Sequence, residues 1–340
     1  MADTTTRPSP LPRPSERHSG NDCEDLGTDF DMVQTQAPPT EDGILAMAQP
    51  AHVGQMAVDN LVRLLDLEQI EENIYRGARA RSKWQRVFGG QVAGQALVAA
   101  GRTVEPERRV HSLHSYFIRP GDPSVPIIYN VDRVRDGRSF TTRRVVALQH
   151  GLTIFTLSAS FQLEQPGIEH QSPMVDAPDP ESLPTLEQRY ANAPNAAAFF
   201  RSSPRPIDLR YVDDPPWQQH DKGPRAGMSR VWMRANGKLP DDPMLHSCVL
   251  TFASDMTLLD SVLAEHAIAP GLDDISMASL DHAVWFERPF RADEWLLYAT
   301  QSPSASGGRG LAAGRFFTRD GVQVASVVQE GMIRVRSTSH

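Results

Sequence analysis

Cysteine is scarce in this chain. Cys23 and Cys248 are the only two among 340 residues, which excludes a disulfide-stapled scaffold and a cysteine-ligated zinc module. The same scarcity points to a reducing compartment, so a cytoplasmic location is expected. No run reaches the roughly 20 apolar residues that a membrane-spanning helix requires. Lysine is nearly missing: Lys83, Lys222 and Lys238 stand against 31 arginines, and the net charge is -8. A chain of that sign lacks the positive footprint of a nucleic-acid binder. There is no G-x-S-x-G, hence no sign of a nucleophile elbow. Gly308, Gly310 and Gly314 precede a strand-like run rather than joining strand to helix, so they do not make a dinucleotide loop. His111 and His114, three apart on a strand, face opposite sides and cannot share a metal. No metal or other cofactor is expected.

What is present is unevenly distributed. Residues 1–55 hold nine acids, three arginines and seven prolines without sustained apolar periodicity. Such a segment buries too little surface to offset its ordering entropy, so a disordered acidic tail is expected there. Val58, Leu61, Val62 and Leu65 then mark one face of a helix. A second proline-rich stretch, 166–224, contains 11 of the 27 prolines. It reads as a linker with a broken helix over 186–200 and a short strand over 207–212. Between and after these stretches lie two blocks, 56–165 and 225–336, each the size of a small domain.

The two blocks read alike. The first has a Gly/Ala-rich helix over 88–104, then strands over 110–118, 127–134, 140–149 and 152–163, separated by turn signals such as Asp136-Gly137 and His150-Gly151. The second has a strand over 230–235, a helix over 251–266, and strands over 276–286, 294–301, 310–318 and 322–335. Short strings recur in order: FGGQ at 88–91 against FASD at 252–255, HSL at 111–113 against ASL at 278–280, FIRP at 117–120 against FERP at 286–289, and SASFQ at 158–162 against ASVVQ at 325–329. Their offsets of 164, 167, 169 and 167 are nearly constant. A duplicated α+β unit follows, with a long helix across an antiparallel sheet in each copy.

These matches set Gln91 against Asp255, Ser112 against Ser279 and Gln162 against Gln329. Only the second copy has a carboxylate at the helix position, and a general base must be ionisable. If duplication kept one working site, the second block holds it. A bland reading stands beside this one: Asp255 follows Ser254 near an expected helix start, where acids cap free N–H groups. Ser279 and Gln329, taken singly, are ordinary strand residues.

Longer strings carry a family resemblance. VFGGQVAGQAL at 87–97, HSLHSYFIRPGDPSVPIIY at 111–129, RDGRSFTTRRV at 135–145, RVWMRANGKLPDD at 230–242, ASD at 253–255, DHAVWFERPF at 281–290 and VASVVQEGM at 324–332 together resemble the acyl-CoA thioesterase II family. The resemblance covers about 57–336. It implies a tandem (double) hotdog fold, hydrolysis of fatty acyl-CoA thioesters, and a catalytic set of a helix Asp, a strand Thr or Ser, and a Gln. Matched residue by residue, these are Asp255, Ser279 and Gln329, with Ser at a position where the family often has Thr. Asp255 would polarise a water that Ser279 and Gln329 hold, and backbone N–H groups at a helix start would complete an oxyanion site. The implied partner is acyl-CoA, and higher assembly into a homo-oligomer is expected only through the resemblance. A hotdog enoyl-CoA hydratase or dehydratase, using an Asp/His pair, is one alternative. Asp281-His282 is the only tempting dipeptide, but strand neighbours point to opposite faces. A non-catalytic acyl-CoA-binding regulator is the other.

Overall fold

A computed structural model of the chain describes residues 53–78, 86–191 and 205–335. The tail expected over 1–55 falls, but for its last three residues, outside the described residues, as does most of the helix expected over 186–200.

The first half comprises α1 (Gln55–Leu65), β1 (Leu67–Glu71), β2 (Ile74–Gly77), α2 (Gly89–Gly101), β3 (Arg108–Phe117), β4 (Ile127–Asp136), β5 (Phe140–Gln149) and β6 (Leu152–Leu163). The connecting stretch holds α3 (Leu186–Tyr190), β7 (Ile207–Tyr211) and α4 (Pro216–Gln219). The second half has β8 (Met228–Ala235), α5 (Pro243–Ser254), α6 (Asp260–His266), β9 (Ile275–Ser279), β10 (Asp281–Phe286), β11 (Leu296–Ser306), β12 (Arg309–Thr318) and β13 (Gln323–Val335). All strands join one antiparallel sheet in the order β1-β2-β4-β5-β6-β3-β10-β13-β12-β11-β8-β7, with β9 added beside β13. This is the double hotdog: one curved sheet, with α2 and α5 lying side by side inside it.

The halves are joined chiefly at two places, and Gln55 of α1 adds a pair of bonds to the Lys238 backbone. The central strands β3 and β10 pair directly, Asp281 opposite Tyr116 and Trp285 opposite Ser112. The Ser115 hydroxyl adds a bond to the His282 carbonyl at 2.8 Å. Helices α2 and α5 are the second contact, and glycine makes it possible: a Cβ on Gly90 would sit 2.4 Å from the Phe252 carbonyl oxygen, and one on Gly94 would lie 3.3 Å from that of Cys248. Both helices are buried almost all round.

That burial explains one difference from the sequence reading. The helix expected over 251–266 is two helices, and the first begins earlier, at Pro243, where Asp242 caps it by accepting from the Met244 N–H at 2.9 Å. The segment MLHSCVLTFAS is apolar on nearly every side because it lies between a sheet and a second helix. It therefore lacks the one-sided 3.6 period that flags a surface helix. Likewise the sequences of β1 and β2 show no apolar–polar alternation: β1 buries a single residue of five, and its hairpin turns at Asn73, which sits at φ 62°.

Strand pairing also corrects the alignment of the two copies. Arg143 pairs with Ala159 as Ala312 pairs with Gln329, and Val110 pairs with Phe161 as Ser279 pairs with Gly331. The irregularity between Val110 and Ser112 in β3 answers to Leu280, which interrupts the expected 276–286 strand between β9 and β10. Equivalent residues are thus 169 apart on β3 and β5, and 170 apart on β6. The FIRP/FERP match is in register, whereas the HSL/ASL and SASFQ/ASVVQ matches are two and three residues out of it. Ser279, His282 and Gln329 therefore correspond to Val110, Leu113 and Ala159, all apolar and buried.

Outside the central region, α6 starts on a buried carboxyl. Asp260 accepts from the Tyr211 hydroxyl at 3.0 Å, and burial pushes its pKa up to about 7. The folded chain thus binds this proton more tightly than the unfolded chain, so stability is lost as pH rises from the ordinary aspartate value toward 7, by at most about 1.4 kcal/mol per pH unit. Asp260→Asn is expected to raise Tm at pH 8, with the gain shrinking to nothing near pH 4. Thermal melts of both proteins across that range check it, and an Asn variant that is no more stable at pH 8 would refute it.

Candidate active site

Three elements of the second half converge at the seam between the halves. Helix α5 ends at Ser254, and Asp255 is its C-cap, with φ -78° and ψ -7°. This corrects the expectation that Asp255 begins a helix, and it removes the N-capping explanation for its carboxylate. At the C-terminus of its own helix, a carboxylate meets the negative end of the macrodipole. It is compensated across the seam. The start of α2 lies against it: the Gly90 N–H donates to the carboxylate, and an added Cβ on Gly89 would stand 2.7 Å from Oδ2. Only a glycine leaves room for Asp255 beside this helix end.

Ser279 closes β9 and Gln329 lies in β13. The Ser279 hydroxyl donates to Asp255 Oδ1 at 3.0 Å, and the Gln329 amide nitrogen donates to the same oxygen at 3.0 Å and to Ser279 Oγ at 2.7 Å. All three residues named from the sequence are therefore mutually bonded, although 24 and 50 residues separate them along the chain. Asp255 and Ser279 keep some exposure, while Gln329 is fully buried. Burial raises the Asp255 pKa; His282, Ser279, Gln329 and the Gly90 N–H oppose it without cancelling it.

Their supposed counterparts in the first half are elsewhere. Gln91 lies in the first turn of α2, not at a helix C-terminus as Asp255 does, and its amide reaches Gln95 at 3.5 Å. His111 bonds Ser160 Oγ at 2.8 Å and His114 packs edge-on against Trp285; the irregularity between Val110 and Ser112 breaks the strand alternation, so the two rings do not take the opposite faces expected of them. The glycines around 308 form the β11–β12 hairpin, with Gly307 and Gly308 at positive φ.

His282, weighed in the sequence only as half of an Asp/His pair, reaches the site alone. Asp281 and His282 do point to opposite faces: Asp281 accepts from the Glu330 N–H at 2.7 Å, while His282 turns inward with no exposure. Its Nδ1 lies 2.5 Å from Gln329 Oε1, and its Nε2 lies 2.8 Å from Ser254 Oγ. The available signal was alternation along DHAVWF, whose inward set is His282, Val284 and Phe286.

The space between helix and sheet in the second half is narrow. A cavity of about 10 Å³, lined by Met233, Val249, Leu250, Ala253, Leu296 and Phe316 among others, has room for about one water.

Comparisons with known proteins agree on one family. The family model for "Acyl-CoA thioesterase" matches residues 202–332, and that for "Acyl-CoA thioesterase N-terminal domain" matches residues 80–162. The chain is 39% identical over 320 residues to acyl-coenzyme A thioesterase 8 of Homo sapiens, covering 90% of this chain and 98% of that one. It is 38% identical over 283 residues to acyl-CoA thioesterase 2 of Haemophilus influenzae, covering 82% and 98%. Among solved structures, acyl-CoA thioesterase II TesB2 from Mycobacterium marinum superposes with a TM-score of 0.67 at 46% identity, over 83% of this chain and 99% of that one. Relatives at this level of identity, matched nearly end to end on the same doubled fold, place the chain in the acyl-CoA thioesterase family.

Proposed function

We propose that this acyl-CoA thioesterase hydrolyses fatty acyl-CoA at Asp255, Ser279 and Gln329, through a water that Asp255 deprotonates. The observation that supports this reading is the meeting of a hydroxyl and an amide on one carboxylate oxygen, where Asp255 and Ser279 keep some exposure. Ser279 and Gln329 present a hydroxyl and an N–H that can hold a water against the carboxylate. As the water oxygen bonds to the thioester carbon, its proton passes to Asp255. The carbonyl oxygen gains negative charge, which backbone N–H groups at a helix start would stabilise. The C–S bond then breaks, the thiolate leaves as CoA, and the Asp255 proton neutralises it. Family membership makes the chain a thioester hydrolase; hydration of an enoyl-CoA and silent binding are the outcomes that would count against this reading.

The raised pKa has a sign that can be measured. Only the ionised carboxylate accepts a proton, so kcat/KM is expected to fall on the acid side through a pKa above the ordinary aspartate value of about 3.9. A thiol-release assay over a panel of acyl-CoAs, repeated across pH, tests both statements. CoA release with an acid limb above that value supports them, and a limb at or below it removes Asp255 as the base. Quenching the reaction and finding an acyl group on Ser279 would move the nucleophile from water to that hydroxyl. A cytoplasmic location and a homo-oligomeric state belong to the same proposal. The first is supported by the scarcity of cysteine, and no helix among the described residues is long and apolar enough to cross a membrane.

A further inference from the structure

We propose that His282 is a positioning residue for thioester hydrolysis: its Nδ1–H fixes the orientation of the Gln329 amide, so that the NH₂ group faces Asp255 and Ser279. The inference rests on the active-site reading above and extends it one residue behind the reacting groups.

A glutamine amide can be turned over in place, and only its surroundings decide which end faces where. Gln329 is held from both sides. On one side stands Asp255 Oδ1, an acceptor, which requires the nitrogen end. On the other stands His282 Nδ1, 2.5 Å from the oxygen end. Because that oxygen carries no hydrogen, Nδ1 must supply one. The opposite amide orientation would set two acceptor oxygens against each other at Asp255. It would also withdraw the donor from Ser279 Oγ, whose own hydrogen is directed to Asp255.

The ring itself is held on its far side. Nε2 lies 2.8 Å from Ser254 Oγ, and that hydroxyl lies 3.0 Å from the Thr251 carbonyl. If Ser254 donates to Nε2, the ring is neutral with its proton on Nδ1. If Ser254 donates to Thr251, both ring nitrogens carry protons. Nδ1–H is common to the two cases, so the effect on Gln329 does not depend on which holds. The ring is anchored in the backbone as well, through the Ser115 bond to the His282 carbonyl at the centre of the seam. Ser254 immediately precedes Asp255, so helix end, ring, amide and carboxylate form one closed circuit.

The other half of the molecule supplies the contrast. Where the second half has His282 beside Gln329, the first has Leu113 opposite Ala159, exposed by 0% and 1%. The fold accepts leucine at this place, and histidine comes only where there is an amide to orient. This makes His282→Leu a substitution of a type the same sheet already carries.

The test compares His282→Leu, His282→Asn and Asp255→Asn by steady-state thiol release and thermal melting. An asparagine amide nitrogen can occupy the place of Nδ1, so it restores the donor without the ring. His282→Leu is expected to lower kcat about 10–100-fold, the usual effect of losing a group that orients a working side chain. KM should stay within about twofold, since His282 has no exposed surface. His282→Asn should recover most of the loss. Wild-type kcat in the leucine variant, or equal losses in the leucine and asparagine variants at unchanged Tm, would overturn the proposal. If the leucine variant does not fold, His282→Gln replaces it: that amide reaches the place of Nε2 rather than Nδ1, and activity matching the asparagine variant would overturn the proposal equally. Failure here is separable from failure of the active-site reading, because an inactive Asp255→Asn beside a fully active His282→Leu rejects only the role of His282, whereas an active Asp255→Asn rejects both.

Discussion

Asp255→Asn is expected to lower kcat by about 10²–10⁴, the range usual for removal of a general base. The substitution keeps the outline of the side chain and an oxygen that can accept from Ser279 and Gln329. What it removes is the capacity to take up a proton. Stability should not be the cause of the loss. A carboxyl with a raised pKa costs the folded state increasingly as pH climbs through that pKa, and the amide escapes the cost. The melting temperature of the variant near pH 8 should therefore equal or exceed that of the parent. Thiol release and thermal melts on the same samples separate the two quantities, and near-normal turnover would remove Asp255 from the mechanism.

Gly90→Ala is the second large effect. The added methyl would lie 2.4 Å from the Phe252 carbonyl oxygen and 2.6 Å from the Phe88 ring. The ring can turn aside, but the carbonyl belongs to the backbone of α5 and moves only with the helix. Forcing a core contact apart costs about 1–3 kcal/mol, or roughly 2–4 °C of Tm for each kcal/mol at this size. The displaced helix ends at Asp255 three residues later, and Gly90 itself donates to that carboxylate. Turnover should accordingly fall about 100-fold, as expected for misplacement of a reacting group by an ångström. Gly167→Ala is the control, since a methyl there meets nothing within 4 Å. A Gly90 variant with parental Tm and turnover would show that α2 and α5 separate freely.

How much of this was legible in the sequence varied with the physical origin of each feature. Strands that bury one face declare themselves by alternation, and β5 and β6 were read with their observed ends. Short polar edge strands and a helix buried on every side give no such period, so β1, β2 and the first turns of α5 were missed. The missing helix start had a consequence: without it, Asp255 was placed at a helix beginning instead of at a helix end. String matches between the copies indicated duplication correctly but slipped by two or three residues, because a β-bulge and an insertion are invisible without hydrogen-bond partners. Asp255, Ser279 and Gln329, which meet in the structure, are named through the family resemblance. Spacing alone left each with an ordinary structural explanation. The contributions of Gly89, Gly90 and His282 belong to proximity across the seam, which no local pattern encodes.

The pairing of Leu113 with Ala159, in the place of an imidazole and an amide, bears on stoichiometry. If the proposed site is the working one, the doubled scaffold carries a single catalytic centre. A tight titrant of the enzyme should then count one equivalent per polypeptide, with the amino-terminal half supplying the Gly90 N–H beside Asp255.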